Sequence, residues 1–303
     1  MIIDAHAHLI RNFTGSVGNG ESYDLRNGEI QFLDGSISRI IPSELYCDGG
    51  FTADTLIQEM DRAGIQKAVL IQAYYYGINN RYAAQSAAKY PDRLLGVGSF
   101  DPYIRQREEV MEQLIYGFGF HIFKFEISQA CGLTGFHPDF TVDGTIMEPI
   151  YRKAEQNHIK IVFDLGKKGT LGFQIEGVVR AARKYPGVTF VVCHLLAPSR
   201  DEDRAEWRRN IERLAACENI FFDISALPWN IKEDYPYKTC ADFARMACDI
   251  IGSERMLWGS DVPCVLTQAS YRSQYDFLQA SDRFTSQELQ NILGDTAEKL
   301  YWN

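Results

Sequence analysis

Residues 159–194, IKIVFDLGKKGTLGFQIEGVVRAARKYPGVTFVVCH, contain one complete repeat of the fold. Ile159 to Asp164 is a short run of β-branched and aromatic residues, which reads as a strand. Phe173 to Tyr185 carries apolar residues at helical spacing and stops at Pro186, which cannot continue a helix. Val188 to Cys193 is a second strand. A strand, a crossover helix and another strand predict parallel neighbours.

The same unit recurs in both directions. Upstream, strands are expected at 2–5, 67–72, 94–99 and 121–126, and helices at 52–64, 80–90, 104–116 and 145–158. Thr52 suits the cap of the first helix, whose Leu56, Ile57, Met60 and Ala63 form one apolar stripe. Downstream, strands are expected at 220–224 and 255–259, helices at 203–217 and 242–251, and two more from Gln268 and Thr285. Eight strands alternating with helices predict an α/β fold of the (β/α)8 type, a TIM barrel, with residues 1–303 as a single domain. An open doubly wound sheet is disfavoured because no GxGxxG follows the first strand.

One stretch breaks the rhythm. Residues 11–51, rich in glycine, serine and asparagine, separate the first strand from its helix. A loop of that length in a compact domain is usually functional. Its place after a strand puts it on the catalytic rim, as a lid or a substrate-specificity insertion.

Composition narrows the classes. A net charge of −9 argues against a nucleic-acid surface, though it leaves an anionic small molecule open. The seven cysteines are scattered without a CxxC pair, so neither a zinc ribbon nor a disulfide framework is expected. The opening MIIDAHAHLI lacks the charged and apolar regions of a signal peptide. No run reaches the roughly 18 apolar residues of a membrane span. The expected compartment is the cytoplasm, with no membrane or nucleic-acid partner. The aromatic-rich rim suggests a homodimer.

In such a barrel, chemistry sits at the C-terminal strand ends. The first strand ends in His6-Ala7-His8, and residues two apart on a strand share a face. Two imidazoles then project together, as a divalent metal requires. The sixth strand ends in His194, and the eighth runs through Trp258-Gly259-Ser260 to Asp261. The fifth ends in Asp164, the fourth carries Lys124 and Glu126, and the seventh carries Asp223. Burying so many ionisable groups is costly unless they pair or bind a metal. His137, after the fourth strand, faces the same rim as a candidate substrate contact. The Tyr74-Tyr75-Tyr76 run after the second strand reads either as an aromatic wall for substrate, with Tyr74 a candidate contact, or equally as a packed rim. His121 starts its strand and reads as structural, and His158 suits a helix C-terminus. Asp4 reads as a supporting carboxylate. Arg200 and Arg204 could meet a substrate carboxylate, although a solvated helix start explains them better.

Several segments carry a family resemblance: IIDAHAHL (2–9), LIQEMDRAGIQKAVLIQ (56–72), KYPDRLLGVGSFDP (89–102), VVCHL (191–195), LWGSDVP (257–263) and ILGDTAEKLY (292–301). Together they resemble the amidohydrolase superfamily, in the branch holding metal-dependent hydrolases and non-oxidative decarboxylases. The resemblance implies that His6 and His8 are metal ligands. It makes Asp261 a ligand or the base that deprotonates water, and His194 a group that polarises substrate or shuttles a proton. Where the family usually has a histidine ligand, this chain has Asp164. A carboxylate there could still bind, and would shift preference from zinc toward manganese or magnesium. Some relatives bridge two metals with a carboxylated lysine on the fourth strand. Lys124 lies on that strand but Glu126 is nearer its end, so one divalent ion is expected, with Lys124 or Glu126 contacting substrate or the groups that support the ligands. The implied reaction is metal-assisted hydrolysis of a small amide, lactone or ester. The alternatives are decarboxylation of an aromatic or unsaturated acid on the same residues, or a metal-free barrel with a binding role.

Overall fold

The computed structural model describes residues 1–18 and 20–302. In chain order, β1 is Ile3–His8. Strands β2 (Ser16–Val17), β3 (Gly20–Asp24), β4 (Glu29–Phe32) and β5 (Ile37–Arg39) lie in the insertion. The remaining strands are β6 (Lys67–Ile71), β7 (Leu94–Gly96), β8 (Ile122–Glu126), β9 (Lys160–Asp164), β10 (Phe190–Val192), β11 (Ile220–Asp223) and β12 (Met256–Leu257). No helix among the described residues is long and apolar enough to cross a membrane.

Strands β1, β6 and β7 form one parallel sheet, and β8 to β12 another. The two meet at both edges. Gly98, just past β7, bridges to Phe123, and the Lys124 amide donates to the Gly98 carbonyl at 2.9 Å. At the other edge Ala7 bridges to Val262, and the Ala5 amide donates to the Trp258 carbonyl at 3.0 Å. These two seams complete the ring of eight expected from the sequence.

The barrel interior is filled near its floor by Ile3, Ala5, Val69, Val97, Ile122, Val162, Val191 and Leu257, with Tyr301 from the C-terminal helix below them. The outer faces of the strands pack on the surrounding helices in a second, larger core. The helices follow their sequence signals. Thr52 accepts from the Thr55 amide and starts the helix Ala53–Ala63. Thr285 and Glu288 form a reciprocal cap on Ser286–Gln290. β7, β10 and β12 are shorter than the sequence suggests.

One irregularity decides where the site forms. β1 pairs Asp4 with Ala68 but Ala7 with Leu70, so β1 carries one extra residue between them. Such a bulge reverses which side chains face inward. Ile3 and Ala5 point into the floor below it. Beyond it the inward positions are His6 and His8, and His8 sits opposite the interior residue Ile71. The bulge thus spends the lower half of β1 on packing and the upper half on chemistry.

The insertion is not an irregular loop. It folds into a four-stranded antiparallel sheet in the order β2-β3-β4-β5. Short strands broken by Asn27-Gly28 and Asp34-Gly35 conceal this in the sequence. The sheet reaches the rim through Phe32, whose ring stacks on Tyr75 with centroids 5.7 Å apart. Gly15 lies so close to the Tyr75 carbonyl that an added Cβ would sit 2.2 Å from its oxygen.

Candidate active site

His6, His8, Lys124, Glu126, Asp164, His194 and Asp261 converge on one small cavity of about 110 Å³ at the C-terminal mouth. Ala73, Tyr75, Tyr76 and Cys131 complete its wall. Lys124, Glu126 and Asp164 share inward parity with Ile122 and Val162. Two residues expected at the substrate do not line it. Of the tyrosine run, Tyr74 is turned away, its hydroxyl donating to the Phe100 carbonyl at 2.9 Å, while Tyr75 and Tyr76 form part of the wall. His137 is held on the outer rim by Asp101 at 2.7 Å and lies against Tyr103. Arg200 is exposed and Arg204 pairs with Asp242, so no arginine is among the lining residues.

His6 is fully buried. Its Nδ1 meets the Asp223 carboxylate at 2.5 Å, which turns Nε2 toward the cavity, and Nε2 has no hydrogen-bond partner among the described residues. Asp261 Oδ1 lies 3.6 Å from that Nε2 and 2.9 Å from Nε2 of His8. Burial holds His8 neutral by lowering its pKa to about 4, against the pull of Asp261. For Asp261, burial is outweighed by the bond from His8 and the positive neighbours, so it stays below the ordinary carboxylate range.

His194 faces the opposite way. Its Nδ1 donates to Ser225 Oγ at 2.8 Å, and its Nε2 stands 3.5 Å from Asp164 Oδ2. Burial disfavours the charged ring, but Asp164, helped by Asp261 and Asp223, lifts its pKa to about 9. Asp164 is pushed well down in return; burial opposes this, and His194 prevails. Asp164, expected among the metal ligands, therefore stands as the counter-ion of His194. The charged pair persists as pH rises past 6.5 and is lost through pH 9. Asp164→Asn is expected to lower the His194 pKa from about 9, read from its ring resonances in an NMR titration. An unmoved midpoint would remove Asp164 as the cause.

The backbone supports both groups under strain. Asp261 has φ 74°, and His194 to Ala197 run at 60°, 47°, 66° and 48°. Left-handed backbone costs a non-glycine residue roughly 1–2 kcal/mol, and such strain concentrates at functional sites. Bonds from the Asp261 amide to the His6 carbonyl at 2.7 Å and from Trp207 Nε1 to the Leu195 carbonyl at 2.9 Å hold these turns. Behind them Asp4 accepts from the His6 and Ser260 amides at 2.9 Å, and from the Ser260 and Tyr271 hydroxyls at 2.5 Å. This clamp ties β1 to the Asp261 turn.

Gly259 completes the fit. A Cβ there would lie 2.6 Å from His6 Cβ and 2.9 Å from the His6 amide nitrogen. Gly259→Ala is expected to cost about 1–3 kcal/mol by overpacking, measured as a lower unfolding midpoint. An unchanged midpoint would show that β1 yields freely. Ser225 touches both His194 and His6, and no residue pattern in the sequence marks it. Its only signal is its position two residues beyond Asp223, on the same inward alternation.

The fold and this site define a β/α barrel with a histidine–carboxylate centre at its mouth. The chain belongs to the amidohydrolase family, whose model matches residues 3–302. Over 84 residues it is 33% identical to L-fucono-1,5-lactonase of Burkholderia ambifaria, a stretch covering 27% of this chain and 29% of that protein. A zinc-bound amidohydrolase structure from Burkholderia multivorans superposes with TM-score 0.74 at 19% identity, over 100% of this chain and 99% of the other. A probable 2-pyrone-4,6-dicarboxylic acid hydrolase of Acinetobacter baumannii gives TM-score 0.68 at 16% identity, over 100% and 99%. These structures share the fold.

Proposed function

We propose that this chain hydrolyses a small carbonyl substrate, a lactone, ester or amide, at the His6–His8–Asp261 centre. The carrying observation is an ionised Asp261 placed beside two imidazoles and across from a positively charged His194. The family likeness and the lactonase match support the same class.

The donor set suits a divalent ion. Two imidazoles and a carboxylate are ligands that zinc accepts, and His6 Nε2 is buried without a hydrogen-bond partner among the described residues while Asp223 fixes its ring. His6, His8 and Asp261 would hold the ion, with zinc ahead of manganese or magnesium because Asp164 is engaged elsewhere. When bound, such an ion lowers the pKa of water to about 7 and polarises a carbonyl.

The chain's own groups supply the rest. Asp261 accepts the proton of the attacking water and returns it to the leaving oxygen or nitrogen. His194 presents its Nε2–H, which stands 3.5 Å from its counter-ion Asp164, to the oxyanion that develops on the carbonyl. Ser225 and Asp164 fix that ring and its charge. Tyr75 and Tyr76 close the apolar side of the cavity.

Decarboxylation fits less well. An aromatic acid would bring its carboxylate beside Glu126, Asp164 and Asp261, with only Lys124 and His194 opposing them among the lining residues. A panel of lactones, esters and amides, assayed beside a panel of aromatic acids monitored for CO2, tests the choice. Water-dependent cleavage without CO2 is expected. CO2 release without such cleavage would overturn hydrolysis.

A further inference from the structure

The far wall of the cavity holds a donor and an acceptor that the hydrolytic groups do not use. Lys124 is 2% exposed and Glu126 is 7% exposed. One Glu126 oxygen, Oε1, accepts from Ser128 Oγ at 2.9 Å. The other, Oε2, is buried without a hydrogen-bond partner among the described residues. The Lys124 ammonium stands 4.0 Å from Oε2, beyond hydrogen-bond length. An unpaired buried acceptor beside a buried ammonium is costly in a folded protein, and each such group calls for an explanation.

The chemistry of the pair limits its ligand. A substrate carboxylate would satisfy Lys124 but meet Glu126 at close range, with Asp164 paired opposite it on β9. A substrate ammonium would satisfy Glu126 but meet Lys124. An ether or a hydrocarbon would leave Glu126 unpaired. A neutral hydroxyl serves both, since it donates to a carboxylate and accepts from an ammonium. Both residues sit in the cavity that holds His6 and Asp261, so the hydroxyl belongs to the molecule whose carbonyl is attacked.

We propose that Lys124 and Glu126 form a hydroxyl-reading pair, so that this site takes neutral, hydroxylated lactones or esters in preference to their deoxy counterparts. The inference rests on the hydrolytic reading of the neighbouring centre. Lys124 Nζ donates to the hydroxyl oxygen, and the hydroxyl O–H donates to Glu126 Oε2. Neither residue moves a proton in the reaction, and their contribution is to select and orient. The cavity's single lysine and lack of arginine leave little to hold a second anionic group.

The test compares 3-hydroxy-δ-valerolactone with δ-valerolactone by kcat/KM, for the wild type and for Glu126→Leu and Lys124→Met. The wild type is expected to favour the hydroxylated lactone by about tenfold or more, because a site built to hydrogen-bond a hydroxyl rejects the analogue lacking it. Each variant is expected to bring that ratio toward one. Glu126→Gln, close to the native shape, covers the case in which the apolar variants do not fold, and is expected to reduce the ratio partway. Binding of 3-hydroxy-δ-valerolactam against δ-valerolactam, by calorimetry on the wild type, needs no turnover. Lactone cleavage without discrimination, or with equal discrimination in folded variants, overturns the pair while the hydrolytic reading stands. Preferential binding of the hydroxylated lactam with no cleavage of any lactone or ester sustains the pair and overturns hydrolysis.

Discussion

Asp261→Asn is expected to lower kcat by about 10³-fold and leave the fold intact. General-base catalysis contributes roughly 10²–10⁴-fold, and asparagine removes the base while keeping its shape. The substitution is also mild for the backbone. Asp261 sits at φ 74°, a region asparagine tolerates better than most residues. The amide oxygen can still accept from His8 Nε2, which lies 2.9 Å from the carboxylate. Steady-state kinetics on the best lactone of the panel, with an unfolding curve for each protein, provide the measurement. A folded variant with its kcat retained would remove Asp261 from the role of base.

The joint substitution His6→Ala with His8→Ala is expected to abolish hydrolysis and strip the protein of bound metal. The two rings supply two of the three donors assigned to the ion, and Asp261 alone is a weak site. Elemental analysis of protein purified without chelators gives the content directly. The double variant leaves Asp223 without its partner at 2.5 Å, so its unfolding midpoint must be read alongside. Asp223→Asn keeps both rings and is the gentler control, with metal affinity expected to fall about 10–100-fold. Full activity in the folded double variant would refute a metal centre. Wild-type protein with less than about one-tenth equivalent of metal, and no gain from added zinc or manganese, would restore the binding-barrel alternative.

Much of this was legible in the sequence. The alternation around residues 159–194 gave the barrel, because strand and helix periodicities differ sharply and prolines end the helices. His6 and His8 were legible as a pair because period two is a property of any strand. Less visible was why they face inward, since the bulge in β1 appears only when its register with β6 is known. The pairing of Asp164 with His194 was hidden for a similar reason. It joins the ends of adjacent strands through a left-handed turn that no residue type announces. The sequence puts Tyr74 and His137 on rim loops, but a position on a loop does not say which way a ring turns. The insertion sheet escaped because its strands are too short to show a period.

Among the described residues, that insertion pairs its strands only with one another. Among the described residues no barrel strand pairs with it, yet Phe32 backs the aromatic wall of the cavity through Tyr75. Substitutions in β3 to β5 can therefore reshape the wall while the catalytic groups keep their positions. The scaffold separates two kinds of inheritance: the ring of strands passes on a reaction, and the small sheet above it passes on a taste in molecules.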